Sequence, residues 1–154
     1  MADTNEGVSS YEIKDALLSV RNICKAFGSN SVLKGVSLDL MPGEAIALVG
    51  GNGAGKSTTL NTIAGLIKPD SGSIKFSGEE LVGIKPHKIV ERGLALCPEG
   101  RRVFTHMTVA ENLDMGGYTR TDAENKETLE LVYEHFPRLK ERMNRGGGHA
   151  RPAA

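Results

Sequence analysis

The stretch GGNGAGKSTTL, residues 50–60, decides the fold of this chain. It begins at the last residue of a short apolar run, AIALVG (45–50), which predicts a strand covered on both faces. It leads into KSTTLNTIAGLI (56–67), whose apolar residues recur at helical spacing. A strand before the stretch and a helix after it predict a phosphate-wrapping loop and disfavour a glycine-rich turn that merely ends in lysine. The motif G-x-x-x-x-G-K-[ST] is satisfied by Gly50, Gly55, Lys56 and Ser57.

Phosphate chemistry explains this spacing. Positions without bulky side chains let successive backbone N–H groups turn toward phosphate oxygens. The partial positive charge at the start of the following helix faces the same oxygens. We expect Lys56 to reach the β- and γ-phosphates of a nucleotide and the Ser57 hydroxyl to ligate Mg²⁺. The residues predicted to contact the nucleotide in this loop are Gly50, Gly51, Asn52, Gly53, Ala54, Gly55, Lys56, Ser57 and Thr58.

The composition excludes several classes of function. With 154 residues, 39% of them hydrophobic and 25% charged, the chain is typical of a soluble globular domain. Nineteen Lys and Arg balance nineteen Asp and Glu, so the basic surface of a nucleic-acid-binding protein is missing. No apolar run approaches the roughly 20 residues that span a bilayer, and the polar start, MADTNEGVSS, is unlike a signal peptide. We expect no nucleic-acid binding and no membrane insertion by the chain itself.

The remaining pattern predicts strands, helices and a leader. Residues 1–15 lack periodicity and are expected to form a loose leader. A short helix is predicted over KPHKIVERG (85–93), and a longer one ends at Pro137. Further strands are predicted over 16–24, 31–40, 72–78 and 94–98. Capping-box patterns, which predict two helix starts, are formed by Thr108 with Glu111 and by Thr121 with Glu124.

The two cysteines, Cys24 and Cys97, lie in or beside apolar runs and far apart in sequence. This placement predicts small buried thiols in a reducing compartment, and no spacing supports a disulfide or redox role.

Two strands are predicted before the strand that leads into the loop, with Phe27 in the connection between those two. A guanine-reading N-K-x-D motif is absent, since the nearest match, NKET (125–128), lacks the aspartate. This layout resembles the ATP-binding subunits of ABC transporters from about residue 16 to 145. The resemblance implies an α/β P-loop NTPase fold with an antiparallel β subdomain and a partial helical subdomain. It also implies that Phe27 stacks on adenine, the alternative being an ordinary core aromatic.

The stretch LCPEGRRVFTHMTVAENLDMGG (96–117) is similar to the subunits that serve branched-chain amino acid importers. Most members of the family have a glutamine where this chain has Glu99. The matched position implies that Glu99 contacts Mg²⁺ and the attacking water. Arg101 and Arg102 could offset the added negative charge, or they could be exposed arginines in a solvated loop.

The family's later motifs are not found in these residues. They are the signature, the Walker B aspartate with its catalytic glutamate, and the switch histidine. Without the later strands of the family sheet, we expect 45–49 and 94–97 to lack central neighbours. Residues 146–154, GGGHARPAA, look like an unrelated, disordered tail. Out-of-frame translation and a designed linker are the two explanations for such a tail.

The resemblance implies a truncated ATP-binding subunit of an ABC importer, with branched-chain amino acids as the expected substrate class. The complete relative would bind ATP and Mg²⁺, pair with a second ATP-binding subunit and drive membrane permease subunits from the cytoplasmic face of the membrane. The chain itself is expected to contain no catalytic residue and to be inactive alone. The alternatives are a non-catalytic nucleotide-binding or inert fragment, and an ABC ATPase that serves another substrate.

Overall fold

The computed structural model describes residues 16–100 and 102–147. The chain forms two compact units, one ending at Leu96 and the other beginning at Cys97. The predicted leader, Arg101 and residues 148–154 of the predicted tail lie outside the described residues. No helix within the described ranges has the length and apolarity needed to cross a bilayer.

The first unit contains a four-stranded antiparallel sheet in the order β2-β1-β3-β4. β1 and β2 form a hairpin in which Phe27 pairs with Asn30, and Gly28 has a positive φ of 60° in the turn. β1 runs further along the chain than the strand predicted over 16–24, so Phe27 is part of the strand. The strands are β1 (Leu18–Phe27), β2 (Asn30–Leu40), β3 (Ser71–Phe76) and β4 (Glu79–Glu80).

The core of this unit lies between the sheet and two short helices, α1 (Lys56–Ile63) and α2 (Pro86–Glu91). α1 begins at Lys56 as predicted, but it buries Ile63 while Leu60, expected on its apolar side, is exposed. Burial of the aliphatic side chains removes apolar surface from water and holds the sheet against the helices. The core residues are Leu18, Val20, Ile23, Leu33, Ile63, Ile74, Leu81 and Ile89.

Two predicted strands, 45–50 and 94–98, are wrong. Neither segment is a strand in the structure, and Val49 is 92% exposed. A strand needs hydrogen-bonding neighbours, and the described residues place none beside these segments. Both runs have the composition of buried central strands, but within the described residues they lack the neighbouring strands that they need, which is the lack expected from the sequence.

The cysteine prediction is wrong in part. Both cysteines are free, as predicted, but Cys24 is only half-buried and Cys97 is exposed. Cys97 lies in the segment expected to be a buried strand, so its exposure has the same cause as the missing strand.

The second unit contains three helices: α3 (Val109–Gly116), α4 (Asp122–His135) and α5 (Pro137–Glu141). Both predicted capping boxes are confirmed, with side-chain and backbone bonds in each direction. α4 ends at His135, and Pro137 starts α5 at the first helical position, where its missing N–H costs nothing. Gly146 forms a bridge with Thr108, so ordered structure extends past the boundary predicted at residue 145.

Candidate functional site

The loop between residue 49 and α1 has a backbone that glycine alone accommodates easily. Gly53 and Gly55 have φ angles of 81° and 88°, in the left-handed region that disfavours side chains. A Cβ on Gly50 would lie 3.1 Å from the Cβ of Ala54, so the loop curls tightly back on itself. The Ala54 N–H donates to the Gly51 carbonyl at 3.2 Å and closes this turn.

Gly55 also fixes the loop against the sheet. A Cβ at this position would lie 2.9 Å from Leu33 Cδ2 and 3.4 Å from the Val32 carbonyl oxygen, both on β2. Gly55 is buried and immediately precedes α1, so the helix start packs directly against β2. No side chain among the described residues caps α1, and its first turn has no acidic residue. The helix start therefore retains the partial positive charge that attracts anions.

Lys56 folds back over the loop. Its Nζ donates to the Gly50 carbonyl at 2.7 Å and to the Gly51 carbonyl at 2.9 Å. The ammonium group has three protons, so these two bonds leave donor capacity for a further acceptor. The structure thus brings the first residues of the motif and its lysine to one place.

The side-chain hydroxyl groups that follow Lys56 differ in whether they already make hydrogen bonds. Thr59 Oγ1 donates to the Gly55 carbonyl at 2.9 Å, and Thr62 Oγ1 donates to the Thr58 carbonyl at 2.7 Å. Ser57 is exposed, and its hydroxyl makes no hydrogen bond within the described residues. Thr58 Oγ1 likewise makes no hydrogen bond there, so the Ser57 and Thr58 hydroxyls are those of this helix start that are not already bonded within the described residues.

Phe27 is 50% exposed at the end of β1, which argues against the alternative that it is an ordinary core aromatic. Its partner across the hairpin, Asn30, lies two residues before Val32, about 7 Å along the strand. The Val32 side chain lies 3.5 Å from the point where a Cβ on Gly55 would be. β2 therefore pairs with the residue that carries the exposed ring and also packs against the loop, all on the first unit.

Sequence reasoning missed two residues beside this ring. Lys25 Nζ lies 5.6 Å from the centroid of Phe27, and Asp70 Oδ1 accepts a hydrogen bond from Lys25 Nζ at 2.8 Å. Lys25 could have been found, because residues two apart on a strand share a face. Asp70 could not, since it is separated from Lys25 by 45 positions.

Glu99, the second predicted magnesium ligand, is exposed and belongs to the second unit, whereas the loop belongs to the first. Its backbone carbonyl accepts a bond from Arg102 Nε at 3.3 Å. The described part of the chain holds no cluster of three or more His, Cys, Asp or Glu that could bind a metal. The role of Glu99 remains a prediction.

The chain matches a known protein family over most of its length. Residues 33–148 match the sequence profile of the family described as ABC transporter. The chain belongs to the ABC transporter family. The P-loop motif and the whole segment 96–117 lie within this match, and the resemblance to the ABC transporter family is confirmed.

The chain is similar to named ATP-binding proteins of the ABC transporter family. The chain is 43% identical over 132 residues to the high-affinity branched-chain amino acid transport ATP-binding protein BraG of Pseudomonas aeruginosa, covering 86% of this chain and 57% of BraG. It is 44% identical over 99 residues to the ribose import ATP-binding protein RbsA of Bacillus subtilis, covering 64% of this chain and 20% of RbsA. The chain therefore spans a little over half of one relative and a fifth of the other.

Solved structures of the same family support the fold. One, an ATP-binding subunit of an ABC transporter, is 31% identical with a TM-score of 0.72, covering 86% of this chain and 55% of that one. Another, a nucleotide-free ATP-binding cassette from an ABC transporter, is 27% identical with a TM-score of 0.72, covering 87% and 58%. The predicted α/β P-loop fold, with an antiparallel β subdomain and partial helical content, is confirmed.

Proposed function

We propose that this chain binds ATP with Mg²⁺ as part of the ATP-binding subunit of an ABC importer. The observation that carries the proposal is the placement of Lys56, whose ammonium bonds the carbonyls of Gly50 and Gly51 inside a glycine loop. A phosphate chain in this loop would meet that ammonium, the start of α1 and backbone N–H groups. The predicted phosphate contacts extend from residue 50 to residue 58.

The donor set fits a magnesium ion. Ser57 offers an exposed hydroxyl oxygen that has no hydrogen-bond partner among the described residues, and hard cations prefer oxygen ligands. Ser57 is the residue of the first unit that would hold the ion, and magnesium contact by Glu99 remains a prediction from the family resemblance. When bound with the nucleotide, the ion would neutralise charge on the phosphates.

The base of the nucleotide would stack on Phe27. The half-exposed ring lies on the same unit as the loop and offers a flat apolar face. Stacking on an aromatic side chain adds affinity with little selection among bases. This arrangement explains why the ring is not packed into the core.

For the substrate of the complete importer, we propose branched-chain amino acids. The support is the identity with BraG over 86% of this chain, against 64% and 79% for the RbsA proteins of Bacillus subtilis and Bacillus licheniformis. The segment 96–117, with Glu99 in place of glutamine, favours the same class. Ribose import is the second candidate, because relatives of that name match at similar identity.

The proposed partners follow from this class. An importer subunit of this kind would work with a second ATP-binding subunit and with permease subunits at the cytoplasmic face of the membrane. Co-expression with the permease subunits of a branched-chain amino acid importer, and separately with those of a ribose importer, tests the assignment. Selective co-purification with the first set is expected, and selective co-purification with the second would favour ribose. A polypeptide that binds nucleotide but neither permease would favour the alternative of a non-catalytic fragment.

Calorimetric titration with MgATP tests the binding site itself. Lys56→Ala should weaken binding by about 1.5–3 kcal/mol, because it removes charge-assisted bonds to phosphate. Lys68→Ala, which removes an exposed lysine beyond α1, is the matched control and should leave the affinity unchanged. Equal affinity of wild type and Lys56→Ala would overturn the proposed phosphate site.

A further inference from the structure

Lys25 and Phe27 lie two residues apart on β1, so their side chains leave the same face of the strand. The structure places the Lys25 ammonium 5.6 Å from the centroid of the ring, within cation–π distance. Phe27 is the last residue of the strand and remains 50% exposed. The ammonium thus covers one side of a ring that otherwise meets solvent.

Asp70 holds this arrangement with three hydrogen bonds. Its Oδ1 accepts from Lys25 Nζ at 2.8 Å, and its Oδ2 accepts from the Ala26 N–H at 2.7 Å. Its own N–H donates to the Cys24 carbonyl at 2.9 Å. The Lys25 side chain is only 17% exposed as a result, although it is a lysine at the end of a strand. One aspartate therefore fixes both the lysine side chain and the backbone on each side of it.

The same aspartate connects the ring to the phosphate-binding helix. Asp70 lies shortly after α1, and the intervening chain is folded tightly, since the N–H groups of Leu66 and Ile67 both donate to the Asn61 carbonyl, at 2.9 and 3.2 Å. A contact from this segment to the end of β1 sets the position of Phe27 relative to α1.

We infer that Lys25 and Asp70 are positioning residues for the base of the nucleotide. Asp70 fixes the Lys25 ammonium, and the ammonium holds the Phe27 ring with one face covered and the opposite face open to a planar base. A ring that is already held loses less freedom when a base stacks on it. This inference rests on the proposed function, because it assigns both residues to the base end of the same site.

The test compares ATP with inorganic tripolyphosphate, which has the phosphates but no base. Lys25→Met should lower ATP affinity about two- to fivefold, the effect of an exposed cation–π contact. Lys25→Arg keeps the cation and should retain the affinity. The affinity for tripolyphosphate should be the same in wild type, Lys25→Met and Lys25→Arg. Equal tripolyphosphate affinity also shows that the loop is folded in both variants. Lys34→Met removes an exposed lysine of β2 and is the matched control.

A double-mutant cycle separates positioning from direct contact. In a Phe27→Ala background, Lys25→Met should have no further effect on ATP affinity, because Lys25 acts through the ring. Asp70→Asn should reproduce the Lys25→Met loss and add nothing to it. An equal loss with and without the ring, or an equal loss for tripolyphosphate, would overturn the inference.

Failure of the inference differs from failure of the proposed function. If Phe27→Ala weakens ATP binding while Lys25→Met and Asp70→Asn do not, the positioning role is wrong and the nucleotide site stands. If Lys56→Ala leaves ATP affinity unchanged, the nucleotide site itself is wrong, and the positioning role is overturned with it.

Discussion

The Lys56 ammonium lies 2.7 Å from the carbonyl oxygen of Gly50, the residue that opens the phosphate-binding motif. The first glycine and the lysine of the motif are therefore joined directly, across the width of the loop. Phosphate oxygens carry full negative charge and are stronger acceptors than a carbonyl. A phosphate chain that enters the loop would thus compete for the lysine with the backbone that now holds it.

Gly55 should be the glycine of this loop that tolerates substitution least. Gly55→Ala places a Cβ 2.9 Å from Leu33 Cδ2 at a φ of 88°, whereas Gly43→Ala, at a φ of 78°, meets nothing within 4 Å. Both variants should lose about 1–2 kcal/mol of unfolding free energy from the left-handed backbone. Only Gly55→Ala should lose more than this and also weaken ATP binding. Urea unfolding and calorimetry measure the two effects, and identical behaviour of the variants would contradict the packing described for Gly55.

Phe27 should contribute to binding through its aromatic face. Phe27→Ala should weaken ATP binding by about 1–3 kcal/mol, while Phe27→Tyr should be nearly silent. Because the chain contains no tryptophan, Phe27→Trp adds a unique fluorophore. Its emission should change with ATP and much less with tripolyphosphate. If Phe27→Ala leaves the ATP affinity unchanged, the exposed ring does not stack on the base.

The free energy of unfolding should depend on pH through the Asp70 carboxyl. Two hydrogen bonds lower the pKa of the Asp70 carboxyl below its ordinary value of 3.8. The bond from Lys25 has the larger effect, and the bond from the Ala26 N–H has the smaller one. A carboxyl whose folded pKa is depressed stabilises the fold above its unfolded pKa, and this stabilisation disappears as pH falls through the folded pKa. The difference in unfolding free energy between wild type and Asp70→Asn should therefore shrink as the pH falls below the ordinary carboxyl pKa of 3.8. A difference that stays constant over this range would contradict the ion pair.

A polypeptide of these 154 residues should not turn over ATP at a meaningful rate. The family's catalytic glutamate and Walker B aspartate have no counterpart in the sequence, and loss of a general base alone typically costs about 10²–10⁴-fold. Phosphate release from purified protein should stay near background and should not fall further in Lys56→Ala. Steady turnover that depends on Lys56 would mean that other residues of this chain act as the base.

Local patterns in the sequence predicted much of this structure. The capping boxes at Thr108 and Thr121 were predictable because each bond joins residues three positions apart. The start of α1 at Lys56 was predictable because the motif sets it. These elements depend on neighbours in the chain, which the sequence places within reach.

Features that depend on distant partners were not predictable. The run 45–49 has the composition of a buried strand, and although its lack of central neighbours was expected, the composition still predicted a strand that does not form. Asp70 reaches Ala26 across 44 positions, a contact that no spacing rule indicates. The phosphate end of the candidate site was therefore predicted from the sequence, whereas the residues that support its aromatic ring required the structure.

The central claim, that the loop of residues 50–58 holds a phosphate chain, is tested most directly by an NMR titration. Uniformly ¹⁵N-labelled protein would be titrated with inorganic tripolyphosphate while the backbone amide resonances are followed. The amides of Gly53, Gly55 and Lys56 should shift together, and Lys56→Ala should weaken the response. The amide of Glu124, at another helix start, serves as the internal control and should not move. Shifts centred on Glu124, or no shift in the loop at saturating tripolyphosphate, would contradict the account.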